Sequence, residues 1–159
     1  MKLFYFERED GQENFGDSLN PWLWNQLIGP ELDEDETTAF VGIGTILNGL
    51  LPYRLPRSRQ FAIFRSGLGF GQGTIPAIDS NWPLYCVRGP LTAQQIGAPA
   101  RKAVADGALL LRRCFQPTAD KDISVGFMPH IQQALAYESQ WQDICQQAGI
   151  TYLDPGLPT

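Results

Sequence analysis

The chain has 159 residues, of which 43% are apolar and 18% are charged, with 16 glycines and 12 prolines. This length suits one ordinary domain with a buried core, and the aromatic content excludes a disordered chain. The net charge is −5, from 12 basic and 17 acidic side chains, which argues against nucleic acid as a main partner because a phosphate backbone demands a cationic face.

Strand-like apolar runs alternate with helical or loop segments through the first 115 residues. Asn20 is a natural N-cap for a helix that starts at Pro21, and Gly97 is a natural stop for a later helix. The predicted strands are Lys2–Glu7, Ala39–Ile43, Gln60–Arg65, Leu84–Val87 and Lys102–Ala105, and the predicted helices are Pro21–Ile28, Thr45–Leu51 and Leu91–Ile96.

A second, shorter group of elements follows a polar segment. Residues 116–122 have linker composition, and they precede a predicted strand at Ile123–Met128, a helix at Ile131–Ala148 and a strand at Ile150–Leu153. Alternating strands and helices, with strands apolar on both faces, predict an α/β fold: a parallel, Rossmann-like sheet covered on both sides. We expect an N-terminal domain at 1–115 and the start of a second α/β domain at 123–159.

Cysteine usage and hydropathy predict the compartment. Cys86, Cys114 and Cys145 lie far apart without zinc-ligand spacing, which is typical of reduced thiols in a cytoplasmic protein. No apolar run approaches the ~20 residues of a membrane span, and the first residues read as a strand rather than a leader peptide. The acidic run Glu31–Glu36 favours a solvated loop over a metal site. We therefore expect no metal.

Glycine and polar residues follow each predicted strand. In open parallel sheets, ligands bind beyond the carboxyl ends of the strands. Five strand ends of the first domain share one edge, and His130 projects from the second domain across a cleft. We therefore expect the functional site at this edge. The residues that follow the first five strands are Gly16, Asp17, Gly42, Gly44, Gly67, Gly69, Gly71, Arg88 and Asp106.

The glycine-rich loop Ser66–Gly73 has two interpretations. Bare backbone amides approach an anion closely, which favours a phosphate site. The loop lacks the Gly-Lys-Ser/Thr ending of a Walker loop, and Gln72 or Thr74 stands where a dinucleotide fingerprint has its last glycine. The alternative is a tight loop packed under neighbouring helices.

Each charged candidate also has two interpretations. Arg88 is suited to bind a carboxylate or phosphate at two points, or to form a salt bridge with Asp106 or Asp17. Asp17 is a candidate base, or a residue that satisfies free amides at a helix start. His130, the only histidine, is the one imidazole in this chain for acid–base chemistry, or a cap for the helix after it.

Trp82 is the candidate for stacking on a sugar ring. It lies in a predicted loop beside a proline, whereas the other three tryptophans follow helical patterns that are typical of packing residues.

Five short motifs occur in order along the chain. They are Asn14-Phe15-Gly16-Asp17 with Leu19-Asn20-Pro21-Trp22, Val41-Gly42-Ile43-Gly44-Thr45, Ser66-Gly67-Leu68-Gly69-Phe70-Gly71, Val87-Arg88-Gly89-Pro90-Leu91-Thr92 and Gly126-Phe127-Met128-Pro129-His130. Together they resemble the polysaccharide pyruvyl transferase family, especially its bacterial exopolysaccharide members. Gly107 departs from the proline that the family often has after its Asp106 counterpart, which affects only a loop.

The resemblance implies transfer of a carboxyethylidene group from phosphoenolpyruvate to two sugar hydroxyls, giving a cyclic ketal, with no cofactor besides this donor substrate. It implies that Arg88 binds the phosphate or carboxylate of the donor, that His130 is an acid or base, and that Asp17 helps to form the catalytic cleft. The substrate-binding residues carried over, together with the stacking candidate, are Asn14, Gly16, Gly44, Gly67, Gly69, Gly71 and Trp82.

The family is about twice this long and has the two-domain glycosyltransferase B architecture. The histidine and basic residues of its second half, which contact the pyruvate donor, have no counterpart here. We expect a sugar or glycan acceptor, an apolar surface near Ile123–Leu153, and a homo-oligomer or a partner that supplies the missing domain. The alternatives are a nucleotide-sugar glycosyltransferase of the same architecture and a non-catalytic module that binds a glycan or a partner.

Overall fold

Four parallel strands form the central sheet of the structure, a computed structural model that describes residues 1–69 and 78–156. The strand order follows the chain order, so each strand lies beside the next one in sequence. The α/β, Rossmann-like class predicted from the alternating pattern is confirmed. The strands are β1 (Lys2–Phe4), β2 (Thr38–Val41), β3 (Gln60–Ser66) and β4 (Leu84–Val87).

Helices cover both faces of this sheet, as the apolar strands predict. On one face, Phe40 packs edge-on against Trp24 of the first helix, with ring centroids 4.9 Å apart. On the other face, Val41 and Ile63 share a buried cluster with Leu51. Each fully buried side chain of this kind contributes roughly 1.5–3 kcal/mol. The helices are α1 (Phe15–Ile28), α2 (Leu51–Arg54), α3 (Pro90–Gln95) and α4 (Leu111–Cys114), with 3₁₀ turns at Gly29–Glu31, Ala100–Lys102 and Gly107–Leu110.

Helix α1 begins at Phe15, so Pro21 lies inside it rather than at its start. Proline has no amide hydrogen, and the carbonyl of Asp17, four residues earlier, therefore lacks its usual helical partner. The side chain of Asn20 replaces that partner, because its Nδ2 donates to the Asp17 carbonyl at 3.0 Å. The prediction that Asn20 caps a helix starting at Pro21 is wrong.

The predicted helix at Thr45–Leu51 is also wrong, because this segment pairs with the loop after β3. The Leu47 amide donates to the Gly67 carbonyl at 3.0 Å, and Leu47 forms a parallel bridge with Leu68. Backbone groups used between two loops are not available for helical bonds. Helical winding therefore starts only with α2.

The predicted fifth strand at Lys102–Ala105 is a single isolated bridge. Ala103 pairs with Val87, and the amide of Val104 donates to the Val87 carbonyl at 3.1 Å. The preceding residues form a 3₁₀ turn, which leaves too little extended chain for a strand.

A smaller strand–helix–strand unit follows. Strands β5 (Gly126–Phe127) and β6 (Thr151–Tyr152) pair in parallel, and α5 (Ile131–Ala148) connects them. The bounds of α5 are those predicted. Gly149 ends it at a φ of +68°, the left-handed conformation that glycine adopts most easily. Both strands are shorter than predicted.

Helix α5 is kinked at Tyr137, whose φ of −142° and ψ of 30° are not helical. The indole Nε1 of Trp141 donates to the Gln133 carbonyl at 3.2 Å across the kink. The same indole packs on Phe127 of β5, with centroids 5.2 Å apart. Trp141 is therefore a packing residue, as its helical spacing predicts.

Residues 116–122 between the two parts are exposed and lie outside helices and strands. Their assignment as a domain linker stays a prediction. The described chain returns to the first part at its end, where the Phe15 amide donates to the carbonyl of the buried Pro155 at 2.7 Å. Within residues 1–69 and 78–156, no helix has the length and apolar character needed to cross a membrane.

Candidate functional site

The loops after β2 and β3 are hydrogen-bonded to each other at the carboxyl edge of the sheet. The Gly67 amide donates to the Gly44 carbonyl at 2.8 Å, and the Gly69 amide donates to the Leu47 carbonyl at 2.9 Å. These amides are used within the protein. In the described half of the glycine-rich loop, this supports the packed-loop interpretation over a phosphate cradle, while Gly71 lies outside the described residues.

Two glycines of this loop let side chains lie directly on its backbone. A Cβ on Gly67 would collide with the guanidinium of Arg88. A Cβ on Gly69 would stand 2.8 Å from Nδ2 of Asn48 and 3.0 Å from the Thr45 carbonyl. Glycine at positions 67 and 69 therefore lets Arg88 and Asn48 pack directly on the loop backbone.

A β-bulge near the end of β3 shapes the same edge. Arg65 has a φ of +64°, which is rare for a residue with a side chain, and the register with β4 shifts here. After the bulge, the buried hydroxyl of Ser66 donates to the carbonyls of Val41 at 2.9 Å and Gly42 at 2.6 Å. The ends of β2 and β3 are thereby held together.

Arg88 lies directly after β4, against Gly67. Its Nη1 donates to Oγ1 of Thr45 at 3.1 Å and stands 4.0 Å from Oδ2 of Asp106. Asp106 also accepts from the Ala108 amide at 2.9 Å, so it caps the 3₁₀ turn that follows and fixes this loop. An ion pair at 4.0 Å between partly exposed groups is weak. Because a third of its side chain is exposed, Arg88 remains accessible to an anion.

Asp17 lies half-buried in the first turn of α1. Its Oδ2 accepts from Nδ2 of Asn14 at 2.6 Å, and its Oδ1 would stand 3.7 Å from a Cβ on Gly44. Burial raises the pKa of this carboxyl, against the opposing effects of the Asn14 hydrogen bond and the charges of His130 and Arg8. Asn14, not Asp17, occupies the cap position of α1. A carboxylate with a raised pKa is a better proton acceptor.

His130 caps α5, because its Nδ1 accepts from the Gln132 amide at 3.3 Å. The capping interpretation is therefore confirmed. The ring is also exposed, and its charge lowers the pKa of the Asp17 carboxyl, so it lies near the first part of the chain. With Nδ1 accepting, a neutral imidazole carries its proton on Nε2. In that neutral form, His130 caps the helix and offers its Nε2 proton as a hydrogen-bond donor.

A cavity of about 520 Å³ lies between the edge of the sheet and the start of α5. Its size falls in the range of small-molecule sites. It brings together Asn14, Asp17 and His130 with Thr45, which binds Arg88. Arg88 is therefore linked to the cavity through Thr45. Other lining residues are Phe6, Arg8 and Arg54.

Two predicted residues are not brought into this site. Gly16 is exposed, and a Cβ on it would meet nothing within 4 Å. Trp82 precedes β4 and so lies at the opposite, amino end of the sheet, where it is 7% exposed and stacks on Phe61 with centroids 4.4 Å apart. Its position does not fit the predicted stacking on a sugar, because the core covers its ring.

Sequence reasoning missed the structural role of Asn20, which is fully buried. Its Oδ1 accepts from the Ile43 amide at 2.6 Å and from Nε1 of Trp24 at 3.0 Å, and its Nδ2 donates to the Ile43 carbonyl at 3.1 Å. A Cβ on Gly42 would collide with that Oδ1. Asn20 thus fixes α1, which carries Asp17, to the loop after β2. The available signal was a lone polar residue on an apolar helix face.

The acidic run Glu31–Glu36 pairs with cations near the amino ends of β1 and β2. Asp33 binds the N-terminal ammonium at 2.7 Å, and Glu36 binds Lys2 and Arg57 at 3.0 Å each. The hydrogen bonds of these cations lower the pKa values of both carboxyls. Across residues 1–69 and 78–156, no group of three or more His, Cys, Asp or Glu residues is arranged to hold a metal ion.

A known protein is similar to nearly the whole chain. The chain is 36% identical over 159 residues to the succinoglycan biosynthesis protein ExoV of Rhizobium meliloti (strain 1021). The match covers 98% of this chain and 47% of ExoV, so the chain spans about half the length of this relative. No protein-family model and no solved structure matches the chain significantly.

Proposed function

We propose that the chain acts in exopolysaccharide biosynthesis in the cytoplasm as a polysaccharide pyruvyl transferase-like protein, with phosphoenolpyruvate as donor and a sugar as acceptor. One observation carries the proposal: residues of separate motifs meet at one cleft. Asp17, Thr45 and His130 line it, and Arg88 binds Thr45. The similarity to a succinoglycan biosynthesis protein supports the same conclusion.

The proposed reaction joins two sugar hydroxyls to one carbon of the donor. Protonation of the enol methylene makes C2 electrophilic, and the first hydroxyl oxygen attacks C2 as its proton passes to a base. The second hydroxyl then displaces phosphate from the same carbon. Of the two hydroxyl protons, one balances the proton added to the methylene and the other leaves with hydrogen phosphate.

Three side chains fit the needs of this reaction. The raised pKa of Asp17 suits a base that accepts a hydroxyl proton. His130 suits the acid that protonates the methylene in its imidazolium form, because the neutral ring is far too weak an acid for this step. Arg88 suits the phosphate or carboxylate of the donor, because its guanidinium is held in place by Gly67 and Thr45 before any ligand binds.

We propose that a second half completes the donor site, supplied by further sequence, a second copy or a partner chain. The chain spans about half the length of ExoV, which leaves room for such a half in the working protein. Exposed apolar side chains on the unit at 123–156, such as Val125 at 56% and Ile144 at 51%, support a covering partner.

The test is a phosphate-release assay with phosphoenolpyruvate and oligosaccharide acceptors. It compares this chain with a fusion to the second half of ExoV. We expect the fusion to release phosphate, and Arg88→Ala to lower its rate by about a hundredfold, the scale of losing one donor to a developing anion. Arg101→Ala, which removes an exposed arginine outside the cavity, is the matched control and should leave the rate unchanged.

Two outcomes would overturn the proposal. Turnover of a nucleotide sugar without phosphate release from phosphoenolpyruvate would favour a glycosyltransferase. Binding of a glycan by both proteins without any turnover would favour a non-catalytic binding module.

A further inference from the structure

Arg54, the last residue of α2, is an exposed cation on the wall of the cavity that Asp17 and His130 also line. Its guanidinium carbon lies 5.9 Å from the ring centroid of Phe6. A guanidinium that packs against an aromatic ring in this way keeps its N–H edge free for an oxyanion. Arg54 is therefore positioned to bind a carboxylate or phosphate.

The described part of the chain provides no carboxylate within 4.0 Å of Arg54, in contrast to its neighbours. Arg8, on the same wall, is bound by Asp10 through both Nε and Nη2. Arg57, three residues after Arg54, is bound by Glu36 at 3.0 Å. Arg54 is thus the arginine of the cavity wall whose charge is left for a ligand.

The rest of the cavity wall is suited to hydroxyl groups. Asp17 offers a half-buried carboxylate, and Asn14, Thr45 and Asn48 offer amide and hydroxyl side chains. A carboxylate accepts hydrogen bonds from sugar hydroxyls, whereas it repels a ligand with several negative charges. The cavity therefore combines one site for an anion with several sites for hydroxyls.

We propose that this cavity binds a sugar residue that carries one anionic group, with Arg54 binding its carboxylate or phosphate and Asp17 accepting from a hydroxyl. Phosphoenolpyruvate has no hydroxyl to donate to Asp17, and Arg88, the residue proposed to bind it, is linked to the cavity only through Thr45. A neutral sugar would leave Arg54 without a partner. The inference deepens the proposed function and rests on it, since it names this sugar as the acceptor.

The experiment is a calorimetric titration of the chain with glucose 1-phosphate and with glucuronate, beside glucose and phosphoenolpyruvate. We expect at least one anionic sugar to bind at least tenfold more tightly than glucose, and the stronger of the two identifies the anionic group. Arg54→Ala should weaken that binding at least tenfold, the scale of a lost hydrogen bond to a charged group. Arg54→Lys keeps the charge but loses the planar guanidinium, so its affinity for the sugar should lie between those of the unchanged chain and Arg54→Ala.

Arg57→Ala is the matched control, because Arg57 is a nearby arginine on the surface that does not line this cavity. The affinity of the Arg57→Ala variant for the anionic sugar should stay within twofold of that of the unchanged chain. Arg54 is exposed, so equal unfolding midpoints for Arg54→Ala and Arg57→Ala are expected and ensure that the comparison concerns binding.

The inference is overturned if neither anionic sugar binds, if both arginine variants weaken binding equally, or if phosphoenolpyruvate displaces the sugars and binds more tightly. Its failure is separable from that of the proposed function. Arg54-dependent sugar binding without phosphate release in the fusion protein supports the sugar site and removes pyruvyl transfer. Phosphate release with neutral acceptors that is insensitive to Arg54→Ala removes the sugar site alone.

Discussion

The sheet of residues 1–115 and the unit at 123–156 differ in how completely they are covered. In the four-stranded sheet, Val41, Ile63 and Val87 have no exposed surface, and helices lie on both faces. In the smaller unit, Leu135 and Ile144 of α5 are about half exposed. Apolar burial is the main stabilising contribution to folding, at roughly 25 cal/mol per Å². The core of the larger part is therefore closed on both faces of its sheet, whereas α5 of the smaller part keeps half-exposed apolar side chains.

The candidate site draws on both parts. The larger part holds Asp17, Gly67 and Arg88 in place through hydrogen bonds and close packing on the loop backbone. The smaller part contributes His130 from the start of α5. Substitutions in the larger part should therefore reduce stability most, and substitutions on the uncovered surface should act mainly on association.

Asn20→Ala tests the rigidity of the larger part and should have the largest effect. It removes an amide that makes four hydrogen bonds and leaves the Ile43 amide and the Trp24 indole without a described partner. Each buried group left unsatisfied costs about 1–3 kcal/mol, so we expect a loss of about 3 kcal/mol or more in urea unfolding. Asn25→Ala, whose exposed amide also donates to a helix carbonyl, should cost less than about 0.5 kcal/mol. Similar losses in both variants would contradict the buried role of Asn20.

Gly67→Ala tests the packing around Arg88. A Cβ there overlaps the guanidinium, so Arg88 must move; because this group is the far end of a flexible side chain that is 33% exposed, the cost in stability should stay below about 1 kcal/mol. Phosphate release in the fusion protein should fall at the same time. Gly16→Ala adds the same methyl group where space is open, inside a helix, and should stabilise the chain by up to about 1 kcal/mol. Unchanged phosphate release in the Gly67→Ala fusion would mean that Arg88 is not held in place by the loop.

Asp17→Asn tests the burial of the candidate base. Because burial raises the pKa of Asp17 above its ordinary value of 3.8, protonation favours the folded state, and this contribution is lost as the pH rises through the raised pKa. Relative to Asp17→Asn, the unchanged chain should therefore lose stability between about pH 3.8 and neutral pH. Unfolding free energies measured across this range check the sign. A difference that is constant with pH, or that runs the other way, contradicts it.

Ile144→Ser tests the uncovered surface and should have the smallest effect on folding. Ile144 is 51% exposed, so we expect a change within about 0.5 kcal/mol, together with weaker self-association in sedimentation experiments. Tyr53→Ser, which changes an 82% exposed aromatic residue on the larger part, should leave association unchanged. An unchanged chain that stays monomeric at every concentration would count against self-association through this surface.

Elements bounded by local signals could be predicted from the sequence. Helix α5 lies where expected because His130 caps its start and Gly149 ends it, and both act on neighbouring residues. Helix α1 begins earlier than expected because the Asn20 side chain replaces the hydrogen bond that Pro21 lacks. The segment around Leu47 is not helical because its backbone pairs with a loop distant in sequence. Local pattern carries no information about such partners.

The distinction between local signals and partners distant in sequence also applies to the candidate site. The common edge was predictable, because parallel strands all end there, and Gly44, Gly67 and Arg88 do meet at it. Trp82 lies at the other end of the sheet, where Phe61 covers it, although its loop resembles an exposed one in sequence. Arg54 had no signal at all, since its position depends on a four-residue helix without a pattern.

The hydrogen bond from the Phe15 amide to the Pro155 carbonyl has a consequence for how the chain is made. The first amides of a helix have no partner within it, and here one of them is satisfied by a residue near the far end of the described chain. The Phe15 amide is therefore synthesised early, but its hydrogen-bond acceptor is added only after most of the sequence has been translated. A nascent chain halted before Pro155 would lack this acceptor, so the Phe15 amide would be left to water.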